Sequence, residues 1–487
     1  MVAEELREAV DAHSEWLLVR ESGRSFPLLA AEIEIDGEAG RSLFGFPDDA
    51  GFHSWRLNGF AAEGNDLAVD VAGAFGRGQE VLRLIPRTPA AELTAEVELA
   101  RLQKANEIAR LIHDNFLGVT IERVSLNESN GRIAQIIFVR EKQYFAAMAD
   151  VTSKLTPETL TAAAMLWHEK LGVRKKKPIL DLWIIAEKPR SKALQKLHAL
   201  LNGRWKSIIT IVEVSRKIEP ASLAELPDRK VSDLWRERAR KVVLPADAQP
   251  SETAAAIIAL SPAEIDIVYT RKGETLRYLG MPFARARTVM GREKCWFGIG
   301  GANRMLIGEN RDDLNELIKT LRIHRSADPE NKRHVLYRAA SEAWLESILS
   351  RNINLLDANL VLAPLYNQFR SMNDRVDLLA LRKDGRLVII ELKTQPDREM
   401  VLQAADYWRK IELQRRRGVL ADANLFGGLE IADEPALVYL AAPALSFHYH
   451  FEFFAAALCP EIEIWRFELH QKWRSAVRVI GRVGRTK

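Results

Sequence analysis

The 487-residue sequence predicts an α/β protein of several domains. Three observations carry this. The chain is too long for a single hydrophobic core and fits two to four domains. Apolar stretches of helical period alternate with short β-branched runs along most of its length. Residues 375–394, RVDLLALRKDGRLVIIELKT, read as two apolar strands joined by a tight turn.

Residues 1–86 form a small β-rich unit: a short helix over 1–13, then apolar runs at 16–19, 28–35 and 81–84 separated by Gly- and Asp-rich turns. Thr88-Pro89 supplies an N-cap and a first-turn proline for a helix reaching about Asp114, with apolar positions at Leu93, Val97, Leu99, Leu102 and Ile108. Strand-like runs follow at 119–124, 132–139 and 143–149, then a helix at 157–171, a strand at 179–186, a helix at 191–201 and a strand at 208–214. Residues 87–216 thus make an α/β domain. Residues 217–262, rich in proline, are connecting structure with one helix at 232–241. Residues 263–325 form a small β/α unit, with strands at 265–269, 275–279, 294–299 and 305–307 and a helix at 311–323. Ser326–Lys332 links to a last domain, 333–487, with a helix at 335–349, the hairpin, a helix from about 401, and strands at 436–442 and 462–467.

The hairpin carries the chemistry. Lys383-Asp384-Gly385 suits a three-residue loop, a type I turn closed by a glycine of positive φ. That loop pairs Arg382 with Arg386, sets Asp377 opposite Glu391 and puts Lys393 on their face. A two-residue Asp-Gly turn would slip the register by one and send Asp377 to the other side. Two carboxylates about 5 Å apart are costly unless a cation lies between them. Hard oxygen ligands at that spacing suit Mg²⁺, and a neighbouring lysine can orient a bound water and offset charge in the transition state. An isolated E-x-K is by itself an ordinary solvated strand pattern; the flanking residues give it weight. Gln403 and Tyr407 are one turn apart near a helix start. On the helix over 335–349, Leu345 and Leu349 would pin the helix to the sheet while Glu342 reaches the site, with Glu346 as the alternative.

On these residues, 333–487 resembles the PD-(D/E)xK nuclease superfamily, and more narrowly the C-terminal domain of NucS-type endonucleases and RecB-type nuclease domains. The matching pieces are Glu342, Arg375-Val-Asp377, Glu391-Leu-Lys393-Thr394 and Gln403-x-x-x-Tyr407. Where many relatives carry a glycine just before the valine, this chain has Asp374-Arg375, and Asp374 reads as a turn residue. The resemblance implies a restriction-endonuclease-like mixed sheet flanked by helices, preceded here by α+β domains. It also implies Mg²⁺- or Mn²⁺-dependent cleavage of DNA: Asp377, Glu391 and Glu342 at the metal, Lys393 on the attacking water, and Gln403 and Tyr407 supporting the lysine or the scissile strand. DNA repair or defence is the expected setting, on double-stranded or branched DNA, with RNA left open. A homodimer is compatible with it. The alternative is a catalytically silent nuclease fold used for nucleic-acid binding or assembly. The helix–three strands–helix–strand order of 87–216 resembles the same topology, but with no Asp facing an E-x-K.

Composition sets bounds. A hydrophobic fraction of 47% and a charged fraction of 28% are those of a globular chain. No apolar run or N-terminal leader pattern indicates a membrane or secretion, and two distant cysteines, Cys295 and Cys459, fit neither a zinc site nor a disulfide framework. A reducing cytoplasm is the expectation. The net charge of +4 permits nucleic-acid binding without demanding it. Arg409 within the Gln–Tyr helix and the run Arg415-Arg416-Arg417 that ends it are candidate DNA-binding cations, since that helix borders the site; Arg174–Lys177 is a second basic run, read as surface. Phe297-Gly-Ile-Gly-Gly301 lacks the spacing of a phosphate loop. His448 and His450 could share a strand face, and core or surface roles fit them better than metal binding.

Overall fold

The computed structural model describes residues 2–21, 25–38, 41–48, 51–73, 78–87, 90–174, 178–216, 221–239, 249–270, 273–289, 292–300, 303–363 and 376–484. Thr88, Pro89, Lys175–Lys177, Gly301, Asp374 and Arg375 lie outside them. Two compact units divide at residue 106. Among the described residues no helix is long and apolar enough to cross a membrane.

The first unit is antiparallel. Helix α1 (Val2–Asp11) precedes strands β1 (Glu15–Val19), β2 (Ser25–Leu29), β3 (Glu34–Glu38), β4 (Arg41–Asp48), β5 (Gly51–Glu63), β6 (Asp66–Ala72) and β7 (Gln79–Arg87), ordered β2-β1-β7-β6-β5-β4-β3. Alternation of buried and exposed residues, as in β6, turns Leu67, Val69 and Val71 onto Leu6 and Val10 of α1. The apolar run at 28–35 is split between β2 and β3 by a 3-10 turn at Ala30–Glu32.

Helix α2 (Ala90–Asn115) spans the division at residue 106; its later half buries Ala105, Ala109 and Ile112, while Leu93, Val97 and Leu99, expected on its apolar face, are exposed. The first sheet of the second unit contains β8 (Val119–Leu126), β9 (Ile133–Arg140), β10 (Gln143–Asp150), β11 (Ile179–Glu187), β12 (Ile209–Ser215) and β13 (Ser222–Glu225). Helix α3 (Pro157–Arg174) follows β10, while α4 (Arg190–His198) and α5 (Gly203–Ile208) follow β11. Pairing runs antiparallel from β8 to β10, parallel from β10 through β12, and antiparallel to β13. The stretch read as a connector thus supplies an edge strand. Of its expected helix at 232–241, the described residues keep only α6 (Val231–Leu234), because Arg236-Glu237-Arg238 after it offers no apolar stripe and only Leu234 is buried; Arg240 and Lys241 lie outside the described residues.

Helix α7 (Glu252–Ile258) leads into a five-stranded antiparallel sheet of β14 (Ile265–Thr270), β15 (Gly273–Tyr278), β16 (Met281–Val289), β17 (Arg292–Phe297) and β18 (Arg304–Met305), covered by α8 (Arg311–His324). Strand β16 escaped the sequence reading because arginines interrupt its apolar residues. Arg325, fully buried after α8, donates to the carbonyls of Tyr278, Leu279, Leu336, Ala339 and Ala340 and lies over the Trp344 ring. Two of those carbonyls, Leu336 and Ala339, would otherwise continue one helix over 335–349, whereas the Ala340 carbonyl also accepts the Trp344 N–H at 3.0 Å. The segment instead breaks into α9 (Val335–Arg338) and α10 (Ser341–Arg351), with Ala340 at φ +48° between them.

The last sheet holds β19 (Leu360–Leu362), β20 (Leu378–Arg382), β21 (Leu387–Leu392), β22 (Leu437–Pro443), β23 (Glu463–Leu469) and β24 (Val479–Gly484) in sequential order. Helices α11 (Met400–Arg416) and α12 (Val419–Asp422) follow β21, and α13 (Phe451–Ala456) follows β22. Strands β21 and β22 are buried along their whole lengths, as expected of parallel strands covered on both faces. Leu345 and Leu349 of α10 pack on one face with Leu378, Ile390 and Leu392. The other face, Leu379, Leu381, Leu387 and Ile389, lies under α11 in a core shared with α3 and α4 of the first sheet. Each fully buried Leu or Phe there contributes roughly 2 kcal/mol.

Candidate active site

The site grows from the turn of the β20–β21 hairpin. Gly385 takes φ +85°, its N–H donates to the Arg382 carbonyl at 2.8 Å, and the Arg382 N–H donates to Arg386 at 2.8 Å. These bonds define the three-residue loop. The ladder pairs Leu378 with Ile390 and Ala380 with Val388, so Asp377, one residue before β20, stands opposite Glu391. The Leu392 N–H donates to Asp377 Oδ2 at 2.8 Å. Asp377, Glu391 and Lys393 continue the row of Leu379, Leu387 and Ile389, and so project on the α11 side.

Lys393 Nζ lies 2.9 Å from Glu391 Oε1 and 3.4 Å from Asp397 Oδ2. Glu391 is only 3% exposed, and its Oε2 is buried without a hydrogen-bond partner. Burial drives the Glu391 carboxyl well above the usual range, Asp377 pushes it further, and Lys393 offsets this only in part. Burial works against the charge on Lys393, yet Glu391, with Glu342 and Asp397, holds the ammonium above its ordinary range. Burial, then Glu391 and Asp377, likewise raise the Tyr407 phenol. These influences locate Glu342 and Tyr407 around the pair. Ser341 and Thr394 hydroxyls, 2.5 Å apart, fasten the start of α10 to the end of β21 and bring Glu342 there. Glu346 turns instead to Arg277 at 3.3 Å, which also holds Asp266 at 2.6 Å. Gln403 is half-buried one turn before Tyr407 on α11.

Two residues escaped the sequence reading. Asp397 was legible in principle, four residues beyond Lys393 and just ahead of α11, where it also accepts the Glu399 N–H at 2.7 Å. Glu158, in the first turn of α3, comes from the other sheet; it adds to the field on Tyr407, and nothing local in the sequence signals that approach.

The arginines proposed for DNA do not gather here. Arg409 is buried and bonded to Asp406. Arg415 is held by Glu412 and Asp433, and Arg416 by Glu412 and the Trp235 ring. Arg417 is exposed and donates to the Glu237 carbonyl. The run 415–417 sits at the far end of α11, roughly 20 Å along the axis from Gln403, because the charges near a helix C-terminus here neutralise fully buried Glu412.

The donor set fits a hard divalent ion. Glu391, Glu342 and Asp397 act on one ammonium, Asp377 acts on Glu391, and the buried Glu391 Oε2 lacks the partner that a cation would supply. Among the described residues no group of three or more His, Cys, Asp or Glu side chains is gathered as a ligand set. A two-carboxylate site is what Mg²⁺ takes when it keeps waters and substrate oxygens.

Fold and site together define an α/β chain with a buried acid–acid–lysine centre at a strand end. No family model, curated protein or solved structure matches the chain.

Proposed function

We propose that the chain is a divalent-metal-dependent nuclease that hydrolyses phosphodiester bonds of DNA, an endonuclease of repair or defence built on a restriction-endonuclease-like C-terminal domain. The observation that carries this reading is Asp377 in register opposite Glu391, whose Oε1 lies 2.9 Å from Lys393 Nζ while its buried Oε2 has no hydrogen-bond partner. Asp377 and Glu391 would hold Mg²⁺ or Mn²⁺, with Glu342 at the rim. The bound ion supplies Lewis acidity toward the phosphate and lowers the pKa of a water. Lys393, kept charged by its acidic neighbours, can donate to that water or to a phosphate oxygen. Tyr407, kept protonated, can donate a hydrogen bond to the scissile strand.

The test is cleavage of supercoiled plasmid with Mg²⁺, alongside calorimetry with Mn²⁺. Lys393→Ala is expected to abolish cutting, and Asp377→Asn with Glu391→Gln to abolish Mn²⁺ uptake. An RNA oligonucleotide cut in preference to DNA would transfer the reading to RNA. Undiminished cutting by Lys393→Ala would remove it.

A further inference from the structure

The two six-stranded sheets of the second unit follow one plan. In each, a helix precedes three antiparallel strands; a helix, a parallel strand, further helix and a second parallel strand follow, and an antiparallel strand closes the edge. The register fixes which residues correspond. Pro189 follows β11 and Pro443 ends β22; three residues earlier stand Ala186 and Leu440. Leu440 pairs with Glu391, and Ala186 comes level with Asp150, one step past the Ala149–Ile185 pair. Asp150 therefore occupies the place of Glu391. Its cross-strand partner is Ile133, where the other sheet has Asp377, and two residues on stands Thr152 in place of Lys393. The same offset matches Trp167 with Trp408, and puts Ala162 and Leu166 where Gln403 and Tyr407 are.

The first copy cannot do the chemistry proposed for the second. Its one acid, Asp150, accepts from the Thr152 hydroxyl and N–H and the Leu155 N–H, and pairs with Arg190 at 2.7 Å. Its second acid is replaced by a buried isoleucine.

The copies also meet as two-fold partners would. Leu201, after α4, and Leu458, after α13, form an antiparallel bridge; the Asn202 N–H donates to Ala457 at 2.7 Å and the Cys459 N–H to Leu200 at 2.8 Å. Equivalent element ends thus bond reciprocally, as in an isologous dimer. Thr159 of α3 donates to Glu399, just ahead of α11, at 2.7 Å, so the two helix starts, and the strand ends that feed them, lie at one edge.

We infer that the chain is an internal pseudo-dimer with one working centre and one silent one, and that it cuts a single strand of duplex DNA per binding event as one chain. This rests on the nuclease reading. Each event consumes one water and breaks one P–O bond, leaving a hydroxyl end and a phosphate end in one strand and the other intact. The silent copy occupies the face that a second identical copy would otherwise use, so no second centre arrives with a partner.

The full-length chain, in excess over supercoiled plasmid with Mn²⁺, tests this. Open-circular DNA is expected to accumulate to nearly all of the substrate before linear DNA appears, at a rate first order in protein, with light scattering showing one chain. Linear product formed directly from supercoiled DNA, second-order dependence, or a two-chain mass overturns the inference while leaving the nuclease intact. Absence of any Lys393-dependent cut overturns both.

Discussion

Replacing Gly280 with alanine would set a methyl carbon 2.0 Å from the Ala343 carbonyl oxygen, 2.2 Å from its carbon and 2.7 Å from the Trp344 nitrogen. All three are backbone atoms in the first turn of α10, so no side-chain rotation relieves the clash. Gly280 also sits at φ +81°, where an L-residue costs about 1–2 kcal/mol. Overpacking adds about 1–3 kcal/mol, which gives about 2–5 kcal/mol of destabilisation. Restoring an ordinary contact requires the first turn of α10 to retreat by about 1 Å, and Glu342 and the Ser341–Thr394 bond move with it. A misplacement of that size costs on the order of a hundredfold in rate when the displaced group helps position the reaction. The assays are thermal unfolding of the full chain and plasmid cleavage at saturating Mg²⁺. An unchanged unfolding midpoint refutes the packing argument. Lowered stability with undiminished cleavage refutes the claim that the turn between β15 and β16 sets the position of Glu342.

Arg277→Met strands the Asp266 and Glu346 carboxylates in a buried site and is expected to cost about 3–5 kcal/mol in urea unfolding; adding Glu346→Gln should recover part of it, and full additivity would contradict the coupling. His198 is buried and its pKa lies below 6.5 because burial outweighs Asp228 at 3.8 Å. The unfolded chain therefore takes up that proton first, so stability declines as pH falls below about 6.5. His198→Gln should flatten that part of the pH–stability curve, and an unaltered slope would count against the assignment. Glu391 keeps its proton above the usual carboxylic range, so Mn²⁺ must displace it and affinity should rise with pH through that range in calorimetric titrations; affinity independent of pH would place the ion elsewhere.

The centre was legible because it is local. One glycine with positive φ fixes the loop, the loop fixes the register, and the register aligns Asp377, Glu391 and Lys393 within 17 residues of chain. Features that depend on distant partners were not legible. The break at Ala340 goes with Arg325 holding the Leu336 and Ala339 carbonyls, and no periodicity around 335–349 announces it. The arginines at 415–417 read as a free basic patch because the sequence does not show that Glu412 is fully buried beside them. Strand β13 was hidden in a proline-rich stretch that joins the sheet through a distant partner, β12. Glu158 reaches Tyr407 through the packing of α3 near α11.

The core that runs from Ile133 to Ile464 has a consequence for how this protein can be dissected or inherited. The C-terminal third is no detachable cassette: cut free at residue 333, it would present Trp408, Ile411, Phe454 and Leu458 to water on a face evolved to stay dry. If one half is silent, as inferred above, its silence brings no freedom to discard it: it remains the mould against which the other half takes its shape.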